Sequence, residues 1–239
     1  MKLLKFSLVL TDNIVMRTIN INMKRKTKIA LPDPEMMLIF NDIVLFMEDN
    51  DLESIEELME DYDIRFDNEI LLRKAVEMNS LLYVKLFVEK YKASIYVNKC
   101  YPVRQAIMNG NLNMVKFLVE KGSPLEIAPY DHRFVDFDSD SSNEDEYAQC
   151  RPLVIAICRQ QIEIVQFLLQ NKASVYANDN LALRAICDTQ TLILIGQHFG
   201  REVIEKHLPI MSNLGKIGKK ELKMAFDKIE LMKILKEVA

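Results

Sequence analysis

Catalysis and metal binding draw on a few residue types, and this chain is short of most of them. It carries three His and four Cys in 239 residues. His132, His198 and His207 share no spacing. Cys100, Cys150, Cys158 and Cys187 form no Cys-x-x-Cys or Cys-x-x-His pair, so a zinc site lacks ligands at workable intervals. There are six Gly, and no phosphate-cradling Gly-rich loop or nucleophile elbow is present. The residues predict no catalytic centre, no cofactor and no metal.

An acidic run lies between Tyr130 and Tyr147. Asp136, Asp138 and Asp140 alternate as the first ligands of an EF-hand loop do. Ser141 then stands where that loop needs Gly, and Tyr147 where it needs a bidentate Glu. A solvated acidic loop is the simpler reading. A regulatory reading stands beside it: Ser141 and Ser142, each with a Glu144 or Asp145 three residues on, suit an acidophilic kinase, and phosphate would deepen the charge.

Composition sets the background. Apolar residues are 49% and charged residues 28%, enough to bury a core, and the formal net charge is −4. Without a basic excess a nucleic-acid partner is not expected. Twelve Asp/Glu and one Arg lie between Asp42 and Glu69, whereas nine Lys/Arg and six Asp/Glu follow from Arg201 onward. The asymmetry could steer a basic partner to one end, or give terminal elements polar outer faces. No apolar run reaches membrane-spanning length. Met1–Leu10 is interrupted by Lys5 and ended by Asp12 without a cleavage site, so it reads as an arm rather than a leader. The basic cluster at 23–28 reads as a solvated linker. Scattered Cys suit a reducing compartment, hence a cytoplasmic expectation.

The elements that must position any functional residue come from a repeat. Residues 92–98, Lys-Ala-Ser-Ile-Tyr-Val-Asn, return at 172–178 as Lys-Ala-Ser-Val-Tyr-Ala-Asn. Ala75, Ala106 and Ala156 each precede an apolar residue at the sixth, ninth and twelfth positions: Leu81, Val84, Phe87; Leu112, Val115, Leu118; Ile162, Val165, Leu168. Weaker copies start at Phe46, Ala185 (Thr191, Leu194, Gln197) and Ala225 (Leu231, Ile234). A unit of about thirty residues with two insertions predicts paired short helices that bury their stripes only by stacking on neighbours. Pro102 and Pro152 fit the openings of first helices, and Gly122 fits a helix end. Cys158 and Cys187, each two residues past an anchor, are expected as core residues about 10 Å apart, beyond disulfide reach.

The phrases Pro102-Val103-Arg104-Gln105-Ala106, Pro152-Leu153-Val154-Ile155-Ala156 and Asn109 through Gly122 resemble ankyrin repeats, most closely over residues 71–178. Residues Asn79-Ser80 and Gln160-Gln161 lack the inter-helix Gly of that family, and the short units imply trimmed β-hairpins. The resemblance implies an all-α ankyrin-repeat solenoid of about five or six helix pairs over residues 35–239. Within it lie an acidic insertion at 129–149 and a capping repeat at about 219–239, and a non-repeat arm occupies 1–34. It further implies a non-enzymatic, monomeric scaffold binding a partner protein through a concave surface. Carried over unit by unit, the first-helix candidates are Arg73, Lys74, Met78, Arg104, Gln105, Asn109, Arg159, Arg184 and Asp188. The loop-tip candidates are Asn98, Lys99, Asn178, Asp179 and Asn180. Arg73 and Arg104 lead because Arg is a favoured interface anchor. Divergent units rich in Ile, Asn and Lys look like those of large DNA viruses, which would make the partner a host protein and the compartment host cytoplasm. Ile29 through Phe40 also resembles the opening of an F-box, with Leu31 and Pro32 as its contact residues. That resemblance implies an alternative role as a substrate adaptor for a cullin-type ubiquitin ligase.

Overall fold

A computed structural model describes residues 33–61, 69–126, 151–211 and 217–238. These fall into two compact units divided between Ile64 and Arg65. The first unit holds α1 (Asp33–Glu48) packed on α2 (Leu52–Asp61). Ile43, Met47, Ile55 and Met59 close its core, while Leu38 and Leu45 are exposed.

The second unit continues the pairing: α3 (Ile70–Glu77) with α4 (Leu81–Lys85), α5 (Val97–Met108) with α6 (Leu112–Glu120), α7 (Pro152–Cys158) with α8 (Ile162–Gln170), and α9 (Ala177–Ala185) with α10 (Thr189–Phe199). A short α11 (Arg201–His207) and a long α12 (Lys219–Val238) close the chain. First helices stack in the order α3, α5, α7, α9, and second helices in the order α6, α8, α10. No strand occurs among the described residues, so the described loops at 91–96 and 171–176 lack hairpin pairing.

One backbone device makes each early pair. Ser80 N–H donates to the Ala75 carbonyl at 3.0 Å, Asn111 to Ala106 at 3.0 Å, Gln161 to Ala156 at 3.0 Å and Asp51 to Phe46 at 2.9 Å. The residue just before each donor is left-handed: Asn79 at φ 57°, Gly110 at 71°, Gln160 at 55° and Asn50 at 56°. This is the Schellman ending, which satisfies two orphan carbonyls and turns the chain back. Loss of the Gly in two copies therefore does not abolish the turn; Asn tolerates the conformation and Gln160 bears its steric cost. The anchors Ala75, Ala106 and Ala156 are fully buried between stacked helices, where a larger side chain would hold the stack apart.

Irregularities are absorbed without losing register. Seventeen residues separate Ala75 from Lys92, whereas sixteen separate Ala106 from Gly122 and Ala156 from Lys172. The extra residue is taken up by a π-helical turn over Leu86–Lys90, and the Ala93 N–H then reaches the Phe87 carbonyl at 2.9 Å. In α5, Asn98 and Cys100 are left-handed (φ 46° and 58°), so regular helix starts around Pro102, whose missing N–H is harmless there.

The two last copies depart from the expected register. Asn180 repeats the left-handed geometry of Cys100, and each N–H donates at 3.3 Å to the Tyr four residues back, Tyr176 and Tyr96. Buried Leu183 and Ile186 therefore match Val103 and Ala106, which moves the fifth anchor from Ala185 to Ile186. From Val103 to Val115 is twelve residues, and from Leu183 to Leu192 only nine. The connection is thus shortened, and the buried residues of α10 are Leu192 and Ile195 instead of Leu194 and Gln197. The copy anchored at Ala225 is not a helix pair. Residues 219–238 hold strong helix formers and neither Gly nor Asn at a turn position, so α12 runs on unbroken. Ala225 and Ile229 are buried, while Leu231 (56% exposed) and Ile234 (50%) face outward. α12 docks on α10 at Gly196, where a Cβ would run into the Ile229 side chain.

Two stability predictions follow from these backbone constraints. Gln160→Gly relieves a left-handed non-Gly residue and should stabilise by about 1 kcal/mol, raising the thermal midpoint by about 2–4 °C. An unchanged or lower midpoint would contradict the turn geometry. Gly196→Ala should destabilise by about 1–3 kcal/mol despite its better helix propensity, because α10 and α12 must separate. A rise in the midpoint of that variant would show that α12 does not pack there.

Candidate functional site

The stack presents the same register position on successive first helices, two residues before each anchor. Arg73, Arg104, Val154 and, after the shift to Ile186, Arg184 occupy it. Arg73 and Arg104 are half-buried, Arg184 is exposed and Val154 is buried. Arg104 donates from Nη2 to the Asn98 carbonyl at 3.1 Å, and its Nε has no hydrogen-bond partner. Tyr101 lies within the field of both Arg73 and Arg104. Its hydroxyl donates to Glu77 Oε1 at 2.9 Å. Burial first, then that hydrogen bond and the Glu77 charge, push the phenol up to about 12, against the smaller downward pull of the two Arg.

Beside this row the first helices expose apolar surface. Met108 is 43% exposed, and Met78 and Ile155 are half-buried. Lys74 is half-buried on α3 and Arg159 is exposed just past α7. Partly exposed apolar side chains interspersed with guanidinium and ammonium groups are the two kinds of surface that a protein-binding face combines.

Other residues named from the sequence hold the scaffold together. Asn109 accepts from Gln105 Nε2 at 2.9 Å and donates across the repeat boundary to the Val76 carbonyl at 2.8 Å. Asp188 caps α10, accepting the Thr191 N–H at 2.7 Å. Asn98 and Asn180 are half-buried in left-handed turns. Lys99, Asn178 and Asp179 lie in the first turns of α5 and α9, with side chains outside the described set. Ser141, Ser142, the EF-hand-like aspartates, His132, Leu31 and Pro32 lie outside the described residues. The rest of the F-box-like phrase, from Asp33, opens α1.

Cys158 and Cys187 are not core residues. Cys158 is exposed because it lies two residues past its anchor, as Glu77 and Met108 do, and Cys187 is half-buried in the connection between α9 and α10. Partial enclosure, then the neighbouring Cys187 thiol, raises the Cys158 pKa. His198 packs edge-on against Phe199, and His207 bonds the Val203 carbonyl through Nδ1 at 2.8 Å while stacking near Tyr176. No group of three His, Cys, Asp or Glu converges among the described residues. No helix among them is long and apolar enough to cross a membrane.

Sequence reading missed two sets of ties between repeats. Glu69 accepts the Ser94 N–H at 2.9 Å, and Glu126 accepts the Ser174 N–H at 2.7 Å. The hydroxyls of those serines each take the N–H of the following Tyr96 or Tyr176. Glu126 also pairs with the buried Arg151, so the two ends of the 127–150 insertion are clamped together and tied to the next loop. The second signal lies on the second helices. Lys85 sits 5.7 Å above the Phe117 ring and Lys116 sits 6.0 Å above Phe167, one repeat apart. Lys121 binds Glu89 at 2.7 Å, and that hydrogen bond lowers the exposed Glu89 pKa. The recurring Lys-Ala-Ser phrase marks the serines; nothing local marks Glu126, whose partners are 25 and 48 residues away.

A family model described as ankyrin repeats (three copies) matches residues 98–179. No curated protein and no solved structure matches the chain. The match covers α5 through the start of α9. With helices paired and stacked in this order and no strand among the described residues, the architecture is an all-α ankyrin-repeat solenoid. Ankyrin repeats are in general protein–protein interaction modules.

The clamp makes a direct prediction. Glu126→Gln leaves the buried Arg151 cation without its counter-charge and should cost on the order of 2 kcal/mol. Chemical denaturation of this variant beside Glu120→Gln, an exposed control on α6, measures the difference; equal midpoints would show that the clamp contributes nothing.

Proposed function

We propose that this chain is a non-enzymatic scaffold that holds a partner protein on its first-helix face. The observation that supports the reading is the shared register of Arg73, Arg104 and Arg184 on first helices that also leave Met78, Met108 and Ile155 partly exposed. Lys74 and Arg159 extend the rim, and Gln105 and Asn109 hold the backbone turns that set the spacing. Arg supplies planar, multidentate hydrogen bonding and is poorly hydrated for a cation, which suits a desolvated interface. Binding then rests on shape and a few anchors, with no bond made or broken. Free thiols at Cys158 and Cys187 suit a reducing compartment such as the cytoplasm.

The test is capture from cell lysate by wild type, by Arg159→Glu/Arg184→Glu, and by the α12 control Lys228→Glu. Both substituted sites are exposed on the face, so helicity by circular dichroism should be unchanged. The double variant should lose the partners that wild type and control retain. Equal capture by all three would refute the assigned face. Recovery of a cullin and its linker subunit, dependent on Leu31 and Pro32, would make the chain a ligase adaptor instead.

A further inference from the structure

Helix α1 is apolar on two opposite sides. Ile43 and Met47 are buried in the core that it shares with α2. Leu38 and Leu45 are seven residues apart, hence on one side, and that side lies roughly half a turn round the helix from the buried pair. They are 65% and 44% exposed, and Met37, next to Leu38 in sequence, is 43% exposed. The partner helix α2 has no such second side, because Glu53, Glu57 and Glu60 make its outer face. A helix with apolar residues front and back needs cover on both sides. Among the described residues of the first unit, α2 supplies only one.

Charge narrows what the other cover must be. Residues 33–61 hold eleven Asp/Glu and no Lys, Arg or His. Hydrogen bonds within the unit leave that sign unchanged. Glu48 and Asp49 stand exposed at the C-terminal end of α1, where negative charge opposes the helix dipole. A cover for this side has to bring apolar side chains and cations together.

Residues 1–32, outside the described set and joined directly to α1, have that composition. They carry seven Lys/Arg against the single Asp12. Leu3, Leu4, Phe6, Leu8, Val9 and Leu10 supply apolar surface, and Lys24, Arg25, Lys26 and Lys28 cluster close to the start of α1. Reach is sufficient. Leu45 lies twelve residues into α1 from Asp33, about 18 Å along the axis, and a coil of 32 residues spans about 30 Å. A tether of this kind sets an effective concentration of about a millimolar, so a contact too weak to form between separate molecules forms within one.

We propose that the Leu38–Leu45 side of α1 is the docking site of the chain's own N-terminal arm. Apolar arm residues cover Met37, Leu38 and Leu45, and the 24–28 cluster meets the carboxylates of the unit. The arm thereby does for α1 what stacking on a neighbour does for the later pairs. Its basic cluster is engaged within the chain instead of standing as a solvated linker. The docking site is separate from the scaffold reading and uses none of the cations on which that reading rests.

Thiol alkylation of the full chain tests the proposal, with Leu38→Cys beside Leu82→Cys, an exposed position on α4, each read from its own peptide by mass spectrometry. A site covered nine-tenths of the time labels about tenfold more slowly than an open one. Leu38→Cys should show at least that delay. Lys24→Gln/Arg25→Gln/Lys26→Gln/Lys28→Gln in the same chain should remove most of it. Loss of those cations leaves the thiol in a more negative field, which raises its pKa and slows alkylation, so faster labelling reports uncovering alone. Circular dichroism should show unchanged helicity, and Leu45→Cys, exposed on the same side, repeats the test if Leu38→Cys disturbs α1. Equal rates at Leu38→Cys and Leu82→Cys would overturn the proposal, since the side would then be open. A delay that survives the arm substitutions would overturn it in favour of a cover from elsewhere in the chain. A delay that grows with protein concentration would overturn it in favour of a second copy.

Discussion

A pair of helices as short as α3 and α4 is too small to persist in water, because each leaves an apolar stripe that its partner cannot cover. Stacking on the next pair is the remedy, and it works only where the backbones approach closely. Ala75, Ala106 and Ala156 permit that approach, and the left-handed turn four residues later sends the chain back at the right angle. The three pairs headed by these alanines repeat this contact, and the α9–α10 pair stacks onto them with Ile186 at the equivalent place and a shorter connection. Inter-repeat ties such as Asn109 to Val76 and Lys85 over Phe117 form because the pairs already sit in register.

The chain tolerates considerable irregularity while keeping that register. An extra residue becomes a π turn, a shortened connection is absorbed before α10, and the 127–150 insertion is pinched at its base by Glu126 and Arg151. Each accommodation sits at a helix end or loop, leaving the first helices undisturbed. Arg73, Arg104 and Arg184 consequently keep one register position on their helices, with the buried Val154 at the position between the last two. The functional reading follows from that shared register.

The central repeats were legible because Ala75, Ala106 and Ala156 head identical apolar offsets, and no strain or long-range pairing was needed to see them. The fifth unit was misread by one residue. Ala185 offered a small residue at nearly the expected place, while the true equivalent, Ile186, is large and follows a connection of altered length. That slip also hid the match of Arg184 to Arg73 and Arg104, so the row could not be seen whole. The capping copy failed for a different reason. Apolar spacing within α12 is compatible with two helices or one, and only the missing turn residues decide for one. Cys158 and Cys187 were assigned to the core by analogy of position, although Cys158, two past its anchor, points away from the stripe, and Cys187 matches it only under the misplaced anchor Ala185. Glu126 and Arg151 were out of reach altogether, since their meeting depends on where an insertion leaves and re-enters.

The register of Arg73 and Arg184 across three repeat steps is the central claim, and a distance measurement tests it most directly. With Cys100, Cys150, Cys158 and Cys187 replaced, spin labels at Arg73→Cys and Arg184→Cys should give one narrow distribution near 30 Å, three helix-packing steps of about 10 Å. A broad distribution, or a peak displaced by a full step, would contradict the stacked register and with it the row on which the functional reading stands.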